Sequence, residues 1–451
     1  MKNLLINLLL VGLTLVFVQP NAIREDYSSA MVALLSGKDQ EASKAEMTPS
    51  PNTVEGDMEL SAEQKDVYHA MKNATAENMD RVWLEAKTAF KTWPGKTLVY
   101  RFDASLDEVM KQLFLDAVEI YKEHTVVKFE EALDDYSGTT VPMVILAKEN
   151  GCSSTVGYIG SEGRMNLKSG KCNLGVVVHE IGHALGRFHE HTRSDRDDYV
   201  TINEANILGN HISNFQKVYT PLHSPYDLQS IMHYAHNFFA TAPGLSTIVP
   251  HEKAMIRTMG LQYHMSRLDM YTVNAIYGLD AACPDDLWDK CTRGGVPNKH
   301  CTCNCLPEFE GAYCELVVAQ TECSGHYQLE GPGLISSPGY PKLYPYNSRC
   351  NYIIECATDE VVQLNFPKFY IENEGCGYDR MNIMTGDLIL ANYPDKYCGD
   401  QLQGKQLVSK TNVALMRFWS DDVNNYDGYQ IAYACIPPPD VTVPPPDVIS
   451  K

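Results

Sequence analysis

The segment His179-Glu-Ile-Gly-His183-Ala-Leu-Gly186-Arg-Phe-His189-Glu190 decides how this chain is read. On a helix, residues 179 and 183 lie one turn apart with a small rotation, so both imidazoles project from one face. The opposite face carries Leu174, Val177, Val178, Ile181 and Leu185, which suit packing into a core that holds the histidines rigidly outward. Gly186 is free to take a positive φ and end the helix, letting the chain swing back so that His189 reaches the same point. Three neutral imidazoles leave further positions of a zinc ion open, as a catalytic rather than a structural site requires. Glu180 lies beside this face, within reach of a water at the metal as general base. A surface helix that merely contains histidines is the plainer alternative. With 14 histidines in 451 residues, the five fixed positions match by chance on the order of 10⁻⁴ times per chain. A zinc site that has lost its activity is the other alternative, and the presence of Glu180 counts against it.

Upstream, Thr97 to Phe102 and Met143 to Ala147 read as strands. Ser105-Leu-Asp-Glu108 has capping-box spacing for a helix whose apolar face is Leu106, Val109, Met110, Leu113, Ala117 and Ile120. A mixed α/β core is expected from these elements. Ser61-Ala-Glu-Gln64 opens an earlier helix, expected to run toward Phe90. From Ile23 to about Pro51 the chain is polar, with no stable apolar period. Before that, Lys2, the apolar run Leu4 to Val18 and Pro20-Asn21-Ala22 read as a secretory signal peptide, residues 1–22. The run has 15 residues, short of the roughly 20 needed to span a bilayer, and no later stretch qualifies, so no stable membrane insertion is expected. Asn73-Ala-Thr75 is an N-glycosylation acceptor.

Composition agrees with export. The chain has 37 Lys+Arg against 57 Asp+Glu, a net charge of -20, which argues against a nucleic-acid partner. Its 44% hydrophobic content marks it as globular, and its length suggests units of roughly 150 residues each. Two of the 14 cysteines are Cys152 and Cys172, while the other twelve crowd between Cys283 and Cys435. Such crowding points to disulfide-stapled modules made in an oxidising compartment. The 32 residues from Cys283 to Cys314 hold six cysteines and are too few for an unbridged core. Val361 to Phe366 and Val413 to Phe418 alternate as antiparallel strands do. Pro-Pro-Pro-Asp-Val repeats at 437–441 and 444–448, an extended tail.

Downstream of the histidines, Ser230-Ile-Met232-His-Tyr234 follows a polar loop with Pro221 and Pro225, and methionine suits the floor beneath a histidine-bound metal. With these residues, the chain closely resembles the astacin family of metzincin zinc endopeptidases. The match continues through His191-Thr-Arg-Ser-Asp-Arg-Asp-Asp-Tyr199-Val-Thr-Ile-Asn203 and Thr247-Ile-Val-Pro250, and covers about Trp93 to Tyr277. The resemblance implies that His179, His183 and His189 bind one Zn²⁺, that Glu180 is the general base and that Met232 is the Met-turn residue. It also implies that Tyr234 ligands zinc at rest and swings to stabilise the oxyanion, although from the residues alone Tyr234 reads as core. Glu190 matches the glutamate that pairs with the new amino terminus after activation; a solvated charge at a helix end is the alternative. Val54-Glu-Gly-Asp57 resembles the family's aspartate switch, Phe-x-Gly-Asp, with Val54 where phenylalanine is usual. There Asp57 would sit on zinc in the zymogen, against the alternative of an ordinary Gly-Asp loop. Cleavage before Trp93 by an activating protease would follow, with Arg81 and Lys87 as single basic sites and no dibasic pair. Cys152 and Cys172 match one of two family disulfides; Val126 stands where a cysteine of the other is expected.

The six cysteines from Cys283, ending in Gly311-Ala-Tyr313-Cys314, resemble an EGF-like module. Spacing leaves fifteen pairings open; the resemblance implies first–third, second–fourth and fifth–sixth, with zinc binding by Cys301, Cys303 and Cys305 as the competing reading. Ser336-Ser-Pro-Gly-Tyr340-Pro, Cys376-Gly-Tyr378-Asp379 and Gly428-Tyr429 resemble a CUB domain, whose usual bridges would be Cys323–Cys350 and Cys376–Cys398. Cys356 and Cys435 are then left as a further pair. Glu372, Asp379 and Asp421 stand where some CUB domains hold Ca²⁺, or are solvated acids. The expected organisation is multidomain: signal peptide 1–22, propeptide 23–83 with its end between 81 and 92, α+β metzincin (astacin-like) catalytic domain 84–282, EGF-like module 283–315, all-β CUB sandwich 323–436 and Pro-rich tail 437–451. The expected function is a secreted zinc endopeptidase, made as a zymogen and acting on extracellular or matrix proteins. A catalytically weak extracellular binding or adhesion protein is the competing reading.

Overall fold

The computed structural model describes residues 53–439, apart from 76, 134–135, 252–254, 257–258, 261–263, 280, 319–322, 329–330, 374–375, 387 and 389–394. The expected signal peptide, the start of the propeptide and most of the Pro-rich tail lie outside the described residues.

Thr53–Val54 (β1) and Met58–Glu59 (β2) form a tight antiparallel turn with Glu55 at φ 53 and Gly56 at φ 94 at its corner. Helix α1 (Ala62–Lys72) starts at the capping box in which Ser61 and Gln64 exchange hydrogen bonds. The single helix expected to reach Phe90 is broken. Asn73 closes α1, the Asn78 side chain accepts from the Thr75 N–H at 2.7 Å, and a second helix, α2, spans Met79–Ala89. Asparagine side chains compete with the helical ladder for backbone donors, and two within six residues stop one helix before the next begins. Residue 83, where the propeptide was expected to end, falls inside α2.

The central sheet contains β3 (Thr97–Phe102), β4 (Lys128–Glu131), β5 (Met143–Leu146), β6 (Cys152–Thr155) and β7 (Arg164–Leu167), in the order β1-β2-β6-β7-β5-β3-β4. Only β1/β2 and β6/β7 pair antiparallel. Without the first two strands, β6 would be the sheet's edge; β2 covers it with the pairs Met58–Ser154 and Glu59–Thr155. Helix α3 (Glu108–His124) lies against the sheet. Its N-cap is Asp107, which accepts from the Met110 N–H at 2.9 Å, whereas the Ser105 hydroxyl oxygen accepts from the Ala147 N–H at 3.1 Å. Of the expected face, Leu106, Met110 and Ala117 are buried and Leu113 and Ile120 pack against the core, while Val109 is 66% exposed and Phe114, Val118 and Tyr121 complete the buried stripe. The two aromatic rings carry more buried area than the aliphatics beside them and set the helix's rotation.

Helix α4 (Leu174–Ala184) is capped by the Asn173 side chain and held at its entry by the Cys152–Cys172 disulfide, which ties it to β6. Its apolar residues join α3 and the sheet in one core with Trp93, whose indole N–H donates to the Ala184 carbonyl at 2.8 Å. Beyond it come an antiparallel pair, β8 (Val200–Ile202) and β9 (Ile248–Pro250), and helix α5 (Arg267–Ile276), opened by a Ser266–Asp269 capping box.

All fourteen cysteines are paired. The six from Cys283 join first to third, second to fourth and fifth to sixth. The C-terminal part is a sandwich of a five-stranded and a four-stranded sheet, bridged by Cys323–Cys350, Cys376–Cys398 and Cys356–Cys435. The Arg267 guanidinium, on the first turn of α5, donates to the backbone carbonyls of Gly294 and Leu388, so one side chain touches both C-terminal parts. Glu308 and Arg417 pair side by side across the second joint. No helix among the described residues is long and apolar enough to cross a membrane.

Candidate metal centre

Helix α4 ends as its glycine suggests. Gly186 has φ 95; its N–H donates to the His183 carbonyl at 2.8 Å, and the Arg187 N–H reaches the Gly182 carbonyl at 3.0 Å. This double bond is a Schellman ending. It turns the chain so that the His189 ring comes within 5.3 Å of His179 and 4.8 Å of His183, centre to centre. Each Nδ1 faces an oxygen: His179 the Ile231 carbonyl at 2.7 Å, His183 the Arg187 carbonyl at 2.8 Å, and His189 a Glu55 carboxylate oxygen at 2.8 Å. A nitrogen facing a carbonyl carries the proton, so the Nε2 lone pairs of His179 and His183 point inward.

Asp57 lies in the middle. Its carboxylate oxygens stand 3.2 Å from His179 Nε2, 3.5 Å from His183 Nε2 and 3.3 Å from His189 Nε2, and all four side chains are buried. Neither Asp57 Oδ1 nor His183 Nε2 has a hydrogen-bond partner among the described residues. Lone pairs of a carboxylate and imidazoles facing each other in a buried space require a cation between them. Three nitrogens and one oxygen at these positions fit a zinc ion. The carboxylate and the imidazoles also shift one another. Burial opposes the charge on Asp57, yet His189 and His183 hold its carboxyl well below the usual range. Burial drives His183 down to about 4, while His189, also buried, is carried up to about 9 by Asp57 and Glu55.

Glu180 is buried beside the histidines, and neither of its oxygens has a hydrogen-bond partner among the described residues. Burial, then the Asp57 and Glu59 charges, push its carboxyl well above the ordinary value. Met232 packs its sulfur against Gly182, so close that a Cβ there would meet it at 2.7 Å. Tyr234 lies beside the centre, its ring 4.8 Å from that of His189 and stacked on His191 at 3.8 Å, while its hydroxyl donates to the Glu55 carbonyl. The tyrosine expected on zinc at rest is therefore held by the segment before Asp57. Glu190 is buried rather than solvated, paired with Arg193 at 2.7 Å and accepting from the Asp227 N–H at 2.9 Å. The backbone below Tyr234 is equally constrained. Gly260 has φ 68, and a Cβ there would fall onto the Ala235 nitrogen and the Tyr234 carbonyl carbon. Gly260→Ala is expected to cost about 3 kcal/mol, overpacking and strain together, measured as loss of stability in denaturant.

Glu372, Asp379 and Asp421 also come together, with one oxygen from each within 4.8 Å of the others. Glu372 and Asp379 are buried, which sets aside simple solvated acids. The Tyr344 hydroxyl and the Asp421 N–H bind Asp379, while Glu372 Oε2 has no partner among the described residues. Burial raises both carboxyls, with the neighbouring acids adding to it. Asn73 is exposed at the end of α1, its side-chain amide donating to the His69 carbonyl at 2.8 Å.

Glu55, Tyr68 and Asp269 escaped the sequence reading. Glu55 precedes a recognisable Gly-Asp, but its bonds to His189 and to the Tyr68 hydroxyl span 134 and 13 residues. Ser266 and Asp269 carry a capping signal that says nothing of the centre.

Residues 85–278 match the family model of Astacin, a peptidase family, and residues 323–433 that of the CUB domain. Blastula protease 10 of Paracentrotus lividus is 29% identical over 394 residues, 85% of this chain and 64% of that protein. Zinc metalloproteinase nas-36 of Brugia malayi is 30% identical over 342 residues, 72% of this chain and 57% of that protein. High choriolytic enzyme 1, a hatching enzyme zinc-protease from Oryzias latipes, is 30% identical, with 42% of this chain and 95% of that one covered at a TM-score of 0.39. The chain spans less than two thirds of the length of these two curated relatives.

Proposed function

The chain belongs to the astacin family through residues 85–278 and carries a CUB domain at residues 323–433, and on that premise we propose that it is a zinc-dependent endopeptidase made as a zymogen. The observation that carries the reading is the convergence of His179, His183 and His189 on one buried point beside the unpartnered carboxylate of Glu180.

Bound there, zinc supplies Lewis acidity, polarising the scissile carbonyl and making water a nucleophile near neutral pH. The protein does the rest. Glu180 takes the proton of the attacking water and hands it to the leaving nitrogen. Tyr234, once released from the Glu55 carbonyl, turns its hydroxyl to the oxyanion. Strand β6, once β2 is gone, offers its edge to the substrate backbone. In the precursor, Asp57 fills the place of the water and β2 fills the place of the substrate. Activation requires another protease to cut between residues 81 and 92, where the basic candidates Arg81 and Lys87 lie on α2. Glu190 then stands ready for the new amino terminus.

Seven disulfides and the apolar run at residues 4–18 support secretion through a signal peptide at 1–22, and Asn73 is the glycosylation site. Residues 283–315 form an EGF-like module by their bridge order, and with the CUB domain they dock extracellular or matrix proteins. Glu372, Asp379 and Asp421 hold a Ca²⁺ ion, whose preference for hard oxygens they match. The test is cleavage of a denatured protein after prosegment removal, with and without a zinc chelator. Chelator-sensitive cleavage is expected. Cleavage that the chelator leaves untouched would overturn zinc dependence, and no cleavage at all would turn the reading to a non-enzymatic binding protein.

A further inference from the structure

Asp269 lies on α5, far from the zinc motif in sequence, and its side chain is wholly buried. It accepts four hydrogen bonds: from the Ser266 N–H at 2.9 Å, the Ile231 N–H at 2.8 Å, the Ser230 hydroxyl at 2.6 Å and the Arg187 guanidinium at 2.5 Å. Two of these partners lead to the metal centre. Ile231 is held by Asp269 at its N–H and holds His179 Nδ1 by its carbonyl at 2.7 Å. Arg187 is held by Asp269 at its guanidinium and holds His183 Nδ1 by its carbonyl at 2.8 Å. Both carbonyls fix which ring nitrogen bears the proton and where the other one aims.

We propose that Asp269 is the positioning residue of the metal centre, setting the His179 and His183 rings through Ile231 and Arg187. The inference rests on the zinc reading above. Asp227, the buried acid next to Asp269, is bound to the Ser266 hydroxyl and to the Gln229 N–H. Among the described residues, the other carboxylate paired with Arg187 is Glu190, at 3.8 Å, and Glu190 is itself engaged by Arg193 at 2.7 Å. Ser230 tightens the link by also accepting from the Met232 N–H at 3.0 Å, so the floor of the centre hangs on the same carboxylate. Asp269 also caps α5, so a plain structural role must be separated from this one.

The experiment measures zinc affinity of the uncleaved full chain against a competing chelator, together with the visible spectrum of its Co²⁺ form and its Tm without metal. The wild type should bind one zinc ion, lost in His183→Ala. Asp269→Asn is expected to weaken zinc about 10- to 100-fold and to change the Co²⁺ spectrum. Ser266→Ala removes the α5 cap without touching Ile231 or Arg187; it should lower the metal-free Tm and leave zinc affinity within about twofold. Should Asp269→Asn fail to fold, Arg187→Gln carries the same test, since it cuts the guanidinium link to Asp269 and keeps the backbone carbonyl at His183: weaker zinc binding supports the role, unchanged binding overturns it. Unaltered affinity and spectrum in Asp269→Asn, or an equal loss in Ser266→Ala, would overturn the inference while leaving the zinc reading intact. A wild type that binds no zinc would overturn both.

Discussion

Replacing Glu180 with alanine in the activated protein is expected to lower peptide hydrolysis by about 10²–10⁴-fold while leaving zinc bound. The separation follows from geometry. The histidines are oriented by Ile231, Arg187 and Glu55, and Glu180 makes no contact with any of those groups that a hydrogen bond would record. Its removal therefore leaves the donor set in place. A second readout goes with the first. A buried carboxylate without partners costs stability, so the alanine precursor should melt no lower than the wild type. Turnover of a short peptide and metal content by atomic absorption check the first claim, and calorimetry the second. Unchanged turnover would remove Glu180 from the mechanism; lost zinc would make it a structural residue.

Asp57→Ala should act in the opposite direction, giving the uncleaved precursor activity that the wild-type precursor lacks. Asp57 is the group that fills the centre, within 3.2–3.5 Å of all three Nε2 atoms, and alanine removes both oxygens while leaving the turn's backbone in place. A gain of at least about tenfold over the wild-type precursor is expected, equivalent to about 1.4 kcal/mol of blockade removed. The gain should stay well short of the cleaved enzyme. Glu55 still holds the Tyr234 hydroxyl by its carbonyl, and β2 still occupies the edge of β6 with Met58 buried. Small peptides should therefore benefit more than folded proteins. A precursor that binds zinc and stays as silent as the wild type would show that the strand, rather than the carboxylate, maintains latency.

How much was legible beforehand depends on how far each interaction reaches along the chain. The ending of α4 at Gly186 and the aim of two histidines from one face were readable, because helix periodicity and a glycine turn are local. Strand β3 was readable within its own six residues. The break between α1 and α2 was missed because apolar periodicity resumes across it, while the asparagines that cause it act through side-chain bonds. The face of α3 was readable in Leu106, Met110 and Ala117, but Phe114, Val118 and Tyr121 were missed because two adjacent stripes are apolar and the sheet beneath decides how far the buried one extends. Glu55 and Asp269 could not be read at all. Their partners lie 134 and 82 residues away, and a carboxylate gives no sign in sequence of what it will accept from. The disulfide-bridged regions differ again: cysteine count announced the bridges, spacing left the partners open, and the pairs that the resemblances implied are the ones the structure has.

The joint made by Arg267 has a consequence for how this chain tolerates change. Its guanidinium meets the carbonyls of Gly294 and Leu388, which belong to the backbone and are offered by every residue type. A joint built on side-chain pairs needs two substitutions to drift together, as Glu308 and Arg417 would. One built on carbonyls needs only that the path of the chain be kept. Mutations on the C-terminal side can therefore accumulate around this contact while α5 keeps the same arginine, as they can around Lys299, which likewise donates to a backbone carbonyl, that of Lys122.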